Sequence, residues 1–360
     1  MHNKKAGILT FHESRNYGAV LQGYALQKKL SEVFGEVDII DYQNSEIEKV
    51  VKLWNIKGKG LKAFIRAVLG FVFRYRKKIA FDRYLKKHVC LSVKADKSNI
   101  SEVCSKYDVL ISGSDQVWNT TSTGNDEIYF LDFANSNQKR ISYAASFGDR
   151  KIELDDSLKI LLKKFDFITL RESIMLDEVK EISGQDVYLC CDPTLLISSE
   201  EWKKHASNRL TSKRYLFLFV IDENSELTAY AHKLAKEKNL TLISNKNDIN
   251  FLRHPQPDDF LSWILNAEYV VTNSFHGTVF SLLFNKKFVS HTFTASGAPK
   301  KRINELLKKV QLEHRNTRNA SLDIDIKENW NQVNSELERI REESWKIIKN
   351  WMEEQDVQKN

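Results

Sequence analysis

Short apolar runs alternate with amphipathic stretches along most of the chain. Residues 7–11 and 37–40 are apolar runs typical of buried strands, and residues 19–34 between them carry apolar side chains at helical spacing. A strand, a helix and a second strand in this order predict a βαβ unit, which requires a parallel sheet and a right-handed crossover. Further buried strands are predicted at residues 107–112, 141–144, 167–170 and 187–190.

A second alternation of the same kind begins near Tyr215. A chain of 360 residues with 42% hydrophobic residues exceeds the roughly 250–300 residues that one core serves. We therefore expect an α/β protein with two doubly wound, Rossmann-like domains and an active site in the cleft between them. The second domain is predicted to contain strands at residues 215–221, 240–244, 269–272 and 288–293, and helices at 225–237, 258–265 and 277–284.

The last part of the chain is highly charged but carries an apolar stripe. Residues 323–354 place Leu337, Ile348 and Trp351, among others, near one face of a predicted long helix. Such a stripe is expected to pack back on the body of the protein, and binding of a partner is the alternative. The predicted organisation is an N-terminal domain at 1–197, a C-terminal domain at 198–322 and a C-terminal helix within 323–360.

The positive charge is concentrated in one segment, residues 49–88, which we call the basic insert. It contains 13 Lys or Arg against the single acid Asp82, a local charge of +12 in a chain whose total is +7, which leaves the remainder at −5. Apolar residues interleave with these cations, as on a helix with one apolar and one cationic face. Either the apolar face packs on the core, or the insert is a docking surface for anionic lipid or a lipid-diphosphate-linked sugar, with peripheral membrane contact. Nucleic-acid binding is not predicted, because no recognition module accompanies the charge.

The cysteines and the hydropathy pattern indicate a cytoplasmic protein. The four cysteines show no CxxC spacing and are expected to be reduced thiols. The apolar run near the N-terminus is too short for a signal peptide. The most apolar stretch, residues 63–73, is interrupted by Arg66 and is shorter than the roughly 20 residues that a membrane-spanning helix needs.

Six stretches occur in order over residues 7 to 290: GILTFHESRNYGAVLQGYALQKKL, YDVLISGSDQVWN, KRISYAASFG, ITLRES, CDPTLL and AEYVVTNSFHGTVFSLLF. Together they resemble the polysaccharide pyruvyl transferase family. The resemblance implies a two-domain fold similar to GT-B glycosyltransferases and phosphoenolpyruvate as donor. It also implies an acceptor sugar in a surface polysaccharide, such as an exopolysaccharide or capsule, or in its polyprenyl-diphosphate-linked precursor. The product would be a pyruvate ketal.

Under this resemblance, the loop that precedes the first helix is a candidate acceptor site. Asn16, Tyr17 and Gly18 lie where free backbone N–H groups and the helix dipole favour an anion or a sugar hydroxyl. The structural alternative is that Asn16 only caps the helix and Gly18 permits its tight start.

A second acceptor candidate follows the strand at residues 107–112. Asp115 would orient or deprotonate the attacking hydroxyl, while Gln116 and Asn119 would bind the sugar by hydrogen bonds. Trp118 would stack on the sugar ring. The alternatives are that Asp115 caps the following turn and that Trp118 belongs to the core.

Arg171 follows the strand at residues 167–170 and is predicted to act in catalysis by binding the donor. Its planar guanidinium suits the carboxylate or the phosphate of phosphoenolpyruvate. The alternative is an ion pair with Glu172 or another acid. Asp192, before Pro193, is expected to mark a domain-crossing point and only secondarily to be an active-site acid.

The segment Asn273 to Thr278 is the strongest single signal for a donor site. A buried strand delivers His276 to its end, where it would hold the donor phosphate or act as general acid. Gly277 permits a close backbone approach, and Thr278 opens a helix whose N-terminus can hold phosphate. A histidine satisfied within the core is the alternative.

The chain departs from the family pattern at Ser274, where many relatives carry Arg two residues before the histidine. Ser274 is kept as a donor-binding position, and one expected cation is missing there. Two alternatives follow: the donor differs, or the cation is replaced by one of Lys286, Lys287, Lys300, Lys301 or Arg302.

The implied chemistry needs cations, one acid and one base. Neither a metal nor a resident cofactor is predicted, because no HExxH or comparable ligand cluster is present.

Two other functions stay open. One is a nucleotide-sugar-dependent glycosyltransferase of GT-B type, since a fold does not fix a function. The other is a non-enzymatic scaffold for polysaccharide assembly.

Overall fold

The computed structural model describes residues 3–46, 61–246, 248–294, 297, 299–317 and 323–357. Within the basic insert, side chains are described from residue 68 onward, except at 69. At the C-terminal end, side chains are described up to residue 355. The chain divides into two compact units. The first unit is Met1–Leu196 together with Arg341–Asn360, and the second is Ile197–Ile340. The part of the basic insert at 49–60 lies outside the described residues.

The first unit is built on a parallel sheet with the strand order β2-β1-β3-β4. A parallel pair, β5 and β6, continues it through isolated bridges from Ile141 to Phe167 and from Ala145 to Leu170. The strands are β1 (Lys5–Leu9), β2 (Glu36–Ile39), β3 (Val109–Ser112), β4 (Lys139–Ser142), β5 (Ile168–Leu170) and β6 (Val187–Leu189). The helices are α1 (Tyr17–Leu30), α2 (Leu61–His88), α3 (Ile100–Cys104), α4 (Thr120–Thr123), α5 (Asp156–Leu162) and α6 (Leu176–Ser183).

The second unit contains a parallel sheet with the order β10-β9-β7-β8. Its strands are β7 (Tyr215–Phe219), β8 (Thr241–Ser244), β9 (Tyr269–Thr272) and β10 (Lys287–Ser290). Its helices are α7 (Ser199–His205), α8 (Ser225–Glu237), α9 (Ile249–Arg253), α10 (Pro257–Leu265), α11 (Phe275–Leu283) and α12 (Lys301–Lys309). The last helix, α13 (Trp330–Val357), contributes its residues up to Ile340 to this unit and the rest to the first.

Both sheets have the doubly wound topology that the sequence predicts, and the α/β fold class is confirmed. In each, the first strand of the unit lies between its second and third strands, so the strand order reverses beside it. Ligands of open parallel sheets bind beyond the carboxyl ends of the strands at such a reversal. Ligand sites are therefore expected at the carboxyl ends of β1 and β3 in the first unit and of β7 and β9 in the second.

The cores explain why these segments fold as they do. Every residue of β7, Tyr215–Phe219, is buried, as expected for a central parallel strand covered on both faces. The amphipathic helix α8 buries Leu227, Ala231 and Leu234 against this sheet. Trp118 occupies the corresponding core of the first unit.

Helix α13 buries most of the stripe that the sequence predicts, although Ile326 precedes the helix and is exposed. Val333, Leu337 and Ile340 are buried in its first part, and Ile348 and Trp351 in its second. Trp351 stacks on Phe167 of the first unit, with ring centroids 5.5 Å apart. The helix begins at Trp330 rather than near residue 323, because the Asn329 side chain accepts a hydrogen bond from the Gln332 amide and so caps it there.

The four cysteines, all within the described residues, form no disulfide; Cys104, Cys190 and Cys191 are buried and Cys90 is exposed. Among the described helices, none has an apolar length sufficient to cross a membrane.

Candidate functional site

In the first unit, a buried ion cluster lies at the carboxyl ends of β3 and β5. The Arg171 guanidinium is its centre, with Nη1 2.7 Å from Asp192 Oδ2 and Nη2 3.5 Å from Asp115 Oδ1. A third carboxylate, that of Glu172, lies 3.8 Å from Arg171 Nε. The Arg171 side chain is only 2% exposed, so these charges interact in a medium of low polarity.

Backbone amides donate to all three carboxylates. Glu172 Oε1 accepts hydrogen bonds from the amides of Phe147 and Gly148, at 2.8 and 3.3 Å. Asp192 Oδ1 accepts from the Thr194 amide and hydroxyl at 2.9 and 2.6 Å. Asp192 thereby caps a short 3-10 helix, so it is part of the ion cluster as well as a local turn former.

Asp115 adopts a conformation that is unusual for an aspartate. Its φ angle is +75°, in the left-handed region, where a side chain is disfavoured. Its carboxylate accepts from the Gln116 amide at 2.9 Å and also faces Arg171. The backbone turn and the Arg171 charge together fix the Asp115 carboxylate just beyond the end of β3.

The ion pair that the sequence left open for Arg171 is therefore present, with Asp192 as its nearest partner. Direct donor binding by Arg171 remains a prediction. Since one guanidinium already faces three carboxylates, its contacts favour holding Asp115 over binding another anion.

Trp118 is a core residue, and the prediction that it stacks on a sugar is wrong. It is fully buried; its ring stacks on Phe130 with centroids 5.2 Å apart and meets Phe165 edge-on at 5.3 Å. Its indole N–H donates to the Tyr129 carbonyl at 3.2 Å. No face of the ring is available to a ligand, because the strand end turns this side chain into the aromatic core.

Gln116 and Asn119 are half-buried and bind each other. Asn119 Nδ2 donates to Gln116 Oε1 at 2.7 Å, and Asn119 Oδ1 accepts from the Thr121 amide. Gly148, at φ +95°, packs against both side chains, where a Cβ would lie 2.9 Å from each. The pair keeps its place beside Asp115, and its role in acceptor binding stays a prediction.

The loop before α1 has the capping interaction that the sequence gave as an alternative. Asn16 is exposed, and its Oδ1 accepts from the Gly18 amide at 3.0 Å. Tyr17 is buried and packs on Phe81 with ring centroids 5.1 Å apart. Of the three predicted residues, Asn16 alone presents its side chain at the surface.

A polar cluster that sequence reasoning did not assign lies at the carboxyl ends of β1 and β2. His12 Nε2 donates to Asp41 Oδ1 at 3.0 Å, and both residues are buried. Gln43 donates to Asp41 and to Glu13 at 2.9 Å each. Burial disfavours the Asp41 carboxylate, yet its hydrogen bond and attraction to His12 bring its pKa below the ordinary value.

Within the described residues, His12, Glu13 and Asp41 are the group whose ligand atoms, all within 4.8 Å of one another, could hold a metal ion. Their oxygens already receive donors from His12 and Gln43. A signal for this cluster was present in the sequence, because His12 and Asp41 each come shortly after a predicted strand.

In the second unit, the candidate donor residues lie where β9 passes into α11. His276 is 8% exposed and lies in the first turn of α11. Ser274 caps this helix through Oγ, which accepts from the Gly277 amide at 3.2 Å. The helix therefore starts at Phe275, two residues before the predicted start, because the Ser274 side chain supplies the cap.

Gly277 and Thr278 have structural roles inside this turn. A Cβ at Gly277 would lie 2.5 Å from Thr272 Oγ1, so the close approach expected of this glycine is to its own strand. Thr278 is fully buried, donates to the Ser274 carbonyl at 3.0 Å and meets Ser290 Oγ at 2.7 Å. The Thr278 hydroxyl is thus used within the core, and phosphate binding at the N-terminus of the helix that Thr278 helps to open stays a prediction.

Lys300 is the cation that lies nearest the reversal point of this sheet among the five proposed replacements. It is 8% exposed, and its Nζ lies 2.9 Å from the Asn273 carbonyl and 3.2 Å from Asp222 Oδ2. Asn273 and Asp222 follow the ends of β9 and β7, respectively. Lys300 thus places an ammonium at the start of the loop that carries His276.

The other four replacements divide by their position along the sheet. Arg302 lies over the Phe275 ring, 5.9 Å from its centroid, and so is on the same side as Lys300. Lys301 is exposed. Lys286 and Lys287 lie at the amino end of β10, whereas His276 follows the carboxyl end of β9, and these parallel strands put the two groups at opposite edges. Burial lowers the pKa of Lys286 to about 8.

These observations define an α/β protein with two doubly wound units, each with buried charged or polar residues at the strand ends. The family model for polysaccharide pyruvyl transferase matches residues 16–290, which is more than half of the chain. The chain therefore belongs to the polysaccharide pyruvyl transferase family.

Comparison with solved structures gives remote matches. The UDP-GlcNAc 2-epimerase from Neisseria meningitidis is 11% identical, covers 97% of this chain and 99% of its own, and has a TM-score of 0.45. The UDP-N-acetylglucosamine 2-epimerase from Rickettsia bellii is 12% identical, with coverages of 97% and 98% and a TM-score of 0.43. An alpha-glucosyltransferase in complex with UDP-glucose is 9% identical, with both coverages at 94% and a TM-score of 0.44. No curated protein matches the chain.

Proposed function

We propose that this chain transfers the pyruvyl group of phosphoenolpyruvate to a sugar of a surface polysaccharide or of its lipid-linked precursor, forming a ketal. The observation that carries the proposal is the placement of Lys300 beside the His276 loop. This ammonium supplies a cation in a chain that has Ser274 where many relatives carry Arg. Membership of the family supports the reaction class.

The donor side of the proposal rests on the second unit. Phosphoenolpyruvate carries a phosphate and a carboxylate, and both require positive partners. Lys300 offers a largely buried ammonium, Arg302 a guanidinium nearby, and the start of α11 adds a positive helix dipole. We assign donor binding to these groups together with His276 and the Ser274–Gly277 turn.

The acceptor side rests on the first unit. Asp115 accepts the proton of the sugar hydroxyl as its oxygen adds to C2 of phosphoenolpyruvate, and Arg171 is the positioning residue that holds this carboxylate. Gln116 and Asn119 lie beside it for hydrogen bonds to the sugar, and we also assign Asn16, at the start of α1, to the acceptor. Asp115 and Arg171 thus have different tasks in the same cluster.

The proposed steps balance without a redox partner. The hydroxyl oxygen bonds to C2 while C3 takes a proton from His276, and the C2–O bond to phosphate then breaks through an oxocarbenium-like state. A second hydroxyl of the same sugar attacks C2 and gives its proton to His276, which closes the ketal, while the proton held by Asp115 leaves with the phosphate. Phosphoenolpyruvate enters as a co-substrate, and since it is a cytoplasmic metabolite the proposal places the reaction in the cytoplasm.

The test is thermal stabilisation of the purified chain by phosphoenolpyruvate, beside UDP-sugars and inorganic phosphate. A ligand at 100 times its Kd adds about 2.7 kcal/mol of stability, which is readily measured. We expect phosphoenolpyruvate to stabilise the wild type, and Lys300→Met and His276→Gln to lose this effect. Lys301→Met, which removes an exposed lysine one residue away, is the matched control and should keep it.

Two results would contradict the proposal. Stabilisation by a UDP-sugar and not by phosphoenolpyruvate would move the chain to sugar transfer from a nucleotide. Stabilisation by phosphoenolpyruvate that persists in Lys300→Met would remove the residue on which the donor assignment rests.

A further inference from the structure

Helix α2 presents an apolar stripe to solvent. Val68, Val72, Tyr75 and Ile79 are 36%, 45%, 47% and 40% exposed. At about 100° per residue, these positions fall within about 60° of one another around the helix axis. We call these four residues the exposed stripe of α2. Scattered exposed apolar residues are ordinary, but an aligned set over three turns is not.

The exposed stripe lies on the side of α2 opposite to the one that packs on the protein. Phe81 and Tyr84 are buried, and Phe81 contacts Tyr17. Lys77 lies with its Nζ 4.5 Å from the Tyr17 ring centroid, on that same packed side. At helical spacing, the direction of Phe81 and Tyr84 is about 180° from the centre of the exposed stripe. One interpretation of the sequence is that the apolar face of the basic insert packs on the core. That interpretation explains the burial of Phe81 and Tyr84, but it does not explain the exposed stripe.

Cations border the exposed stripe. Arg76 and Lys78 lie on either side of it. Arg83 and Lys86 lie on the same side of the helix as the stripe, nearer the C-terminal end. Of these four cations, Lys78 is half-exposed and the other three are exposed. Asp82, the single acid of the basic insert, pairs with Lys78 at 2.5 Å. An apolar strip flanked by cations is the pattern of helices that lie in a membrane interface.

We propose that the exposed stripe of α2 docks on an anionic lipid surface. The apolar side chains enter the boundary between headgroups and acyl chains, Tyr75 lies at headgroup level, and the flanking cations contact lipid phosphates. A second copy of the chain is a poorer occupant, because it would bring two segments of +12 charge together. This proposal does not depend on the donor or acceptor assignments.

The experiment is flotation of the full chain with vesicles of phosphatidylcholine, with and without phosphatidylglycerol. We expect binding to the anionic vesicles only, weakening as salt is added. Val72→Asn with Ile79→Asn should lower the fraction bound at least about tenfold, because two apolar anchors are removed. Arg76→Gln with Arg83→Gln should lower it about fivefold for each cation removed.

Controls separate the exposed stripe from exposed apolar or basic residues in general. Ile160→Asn with Ile249→Asn changes isoleucines that are 57% and 46% exposed in other helices, and should bind as wild type. Lys308→Gln with Lys309→Gln removes two exposed cations of α12 and should also bind as wild type.

Equal binding to neutral and anionic vesicles would overturn the proposal. Flotation of the stripe variants at the wild-type level would also overturn it. So would a wild type that binds no vesicles but forms a dimer in analytical ultracentrifugation, if Val72→Asn with Ile79→Asn converts that dimer to a monomer. Circular dichroism of each variant should match the wild type, since the changed positions are exposed. If the stripe variants alone unfold, the exposed stripe is structural and the proposal is wrong.

Discussion

Replacing Arg171 with Met is expected to destabilise the fold by about 3–5 kcal/mol. The side chains of Asp192 and Glu172 are 0% and 1% exposed, so removing the guanidinium leaves two buried carboxylates without their shared cation. Breaking a buried ion pair from one side typically costs this much, because the remaining charge stays desolvated. Arg171→Lys should cost less, since it keeps the charge and loses the planar fork.

The measurement is urea-induced unfolding of the wild type, Arg171→Met, Asp192→Asn and the double variant. Asp192→Asn keeps an acceptor for Thr194, so it mainly removes the charge. Because the two residues share one interaction, the double variant should be more stable than the sum of the single effects requires, by about 1–3 kcal/mol. A loss of less than about 1 kcal/mol in Arg171→Met, or strict additivity, would refute the reasoning.

This prediction decides which variants can test function. If Arg171 supports the first unit in this way, loss of activity in Arg171→Met reports stability as well as catalysis. Lys300 and His276 are cleaner probes, because no comparable cluster of buried carboxylates surrounds either among the described residues.

Three further predictions follow from single residues. Gly277→Ala should lose about 1–3 kcal/mol of stability, since its Cβ would lie 2.5 Å from Thr272 Oγ1, and thermal unfolding would show whether the turn tolerates it. Trp118→Ala should lose about 3–5 kcal/mol by leaving a cavity among aromatic rings, and a smaller loss would mean that the ring is not packed as described. Lys286 has a pKa of about 8 against 10.5 for a free lysine, so its charged form is disfavoured in the folded state below pH 8, and that penalty fades as pH rises toward 10.5. Lys286→Met should therefore be more stable than the wild type by about 2 kcal/mol at pH 7, a figure that allows for the hydrogen bond lost with the lysine. This difference in the free energy of unfolding should shrink above pH 8. A difference that does not change with pH would contradict the prediction.

The strands and helices were predictable because their signals are local. β9 and α8 have the bounds that periodicity predicted, and the ends of β1, β2 and β7 differ from the predicted ones by at most two residues. The α11 start was missed because a polar residue, Ser274, supplies the cap, and a cap depends on backbone angles rather than on hydrophobic spacing.

The candidate site was less predictable, because it depends on residues that are distant in sequence. Asp115, Arg171 and Asp192 each follow a predicted strand, but their convergence needs the strand order. Trp118 and Thr278 have types that suit ligands, and only burial shows that they serve the core. Lys300 was one of five options until the strand direction placed Lys286 and Lys287 at the opposite edge and the contacts of Lys300 with Asn273 and Asp222 became visible.

The discontinuity of the first unit has a consequence during synthesis. Its body ends at Leu196, yet it also contains residues from Arg341 onward, where Ser344 Oγ accepts from the Cys191 amide and Trp351 covers Phe167. A ribosome working at about 5–20 residues per second needs roughly 7–30 s to make the intervening 144 residues. The second unit is continuous and can thus fold before the first unit is complete. During that time the Phe167 ring and the Cys191 amide lack the partners that α13 provides. Nascent chains should depend on chaperones most during that interval.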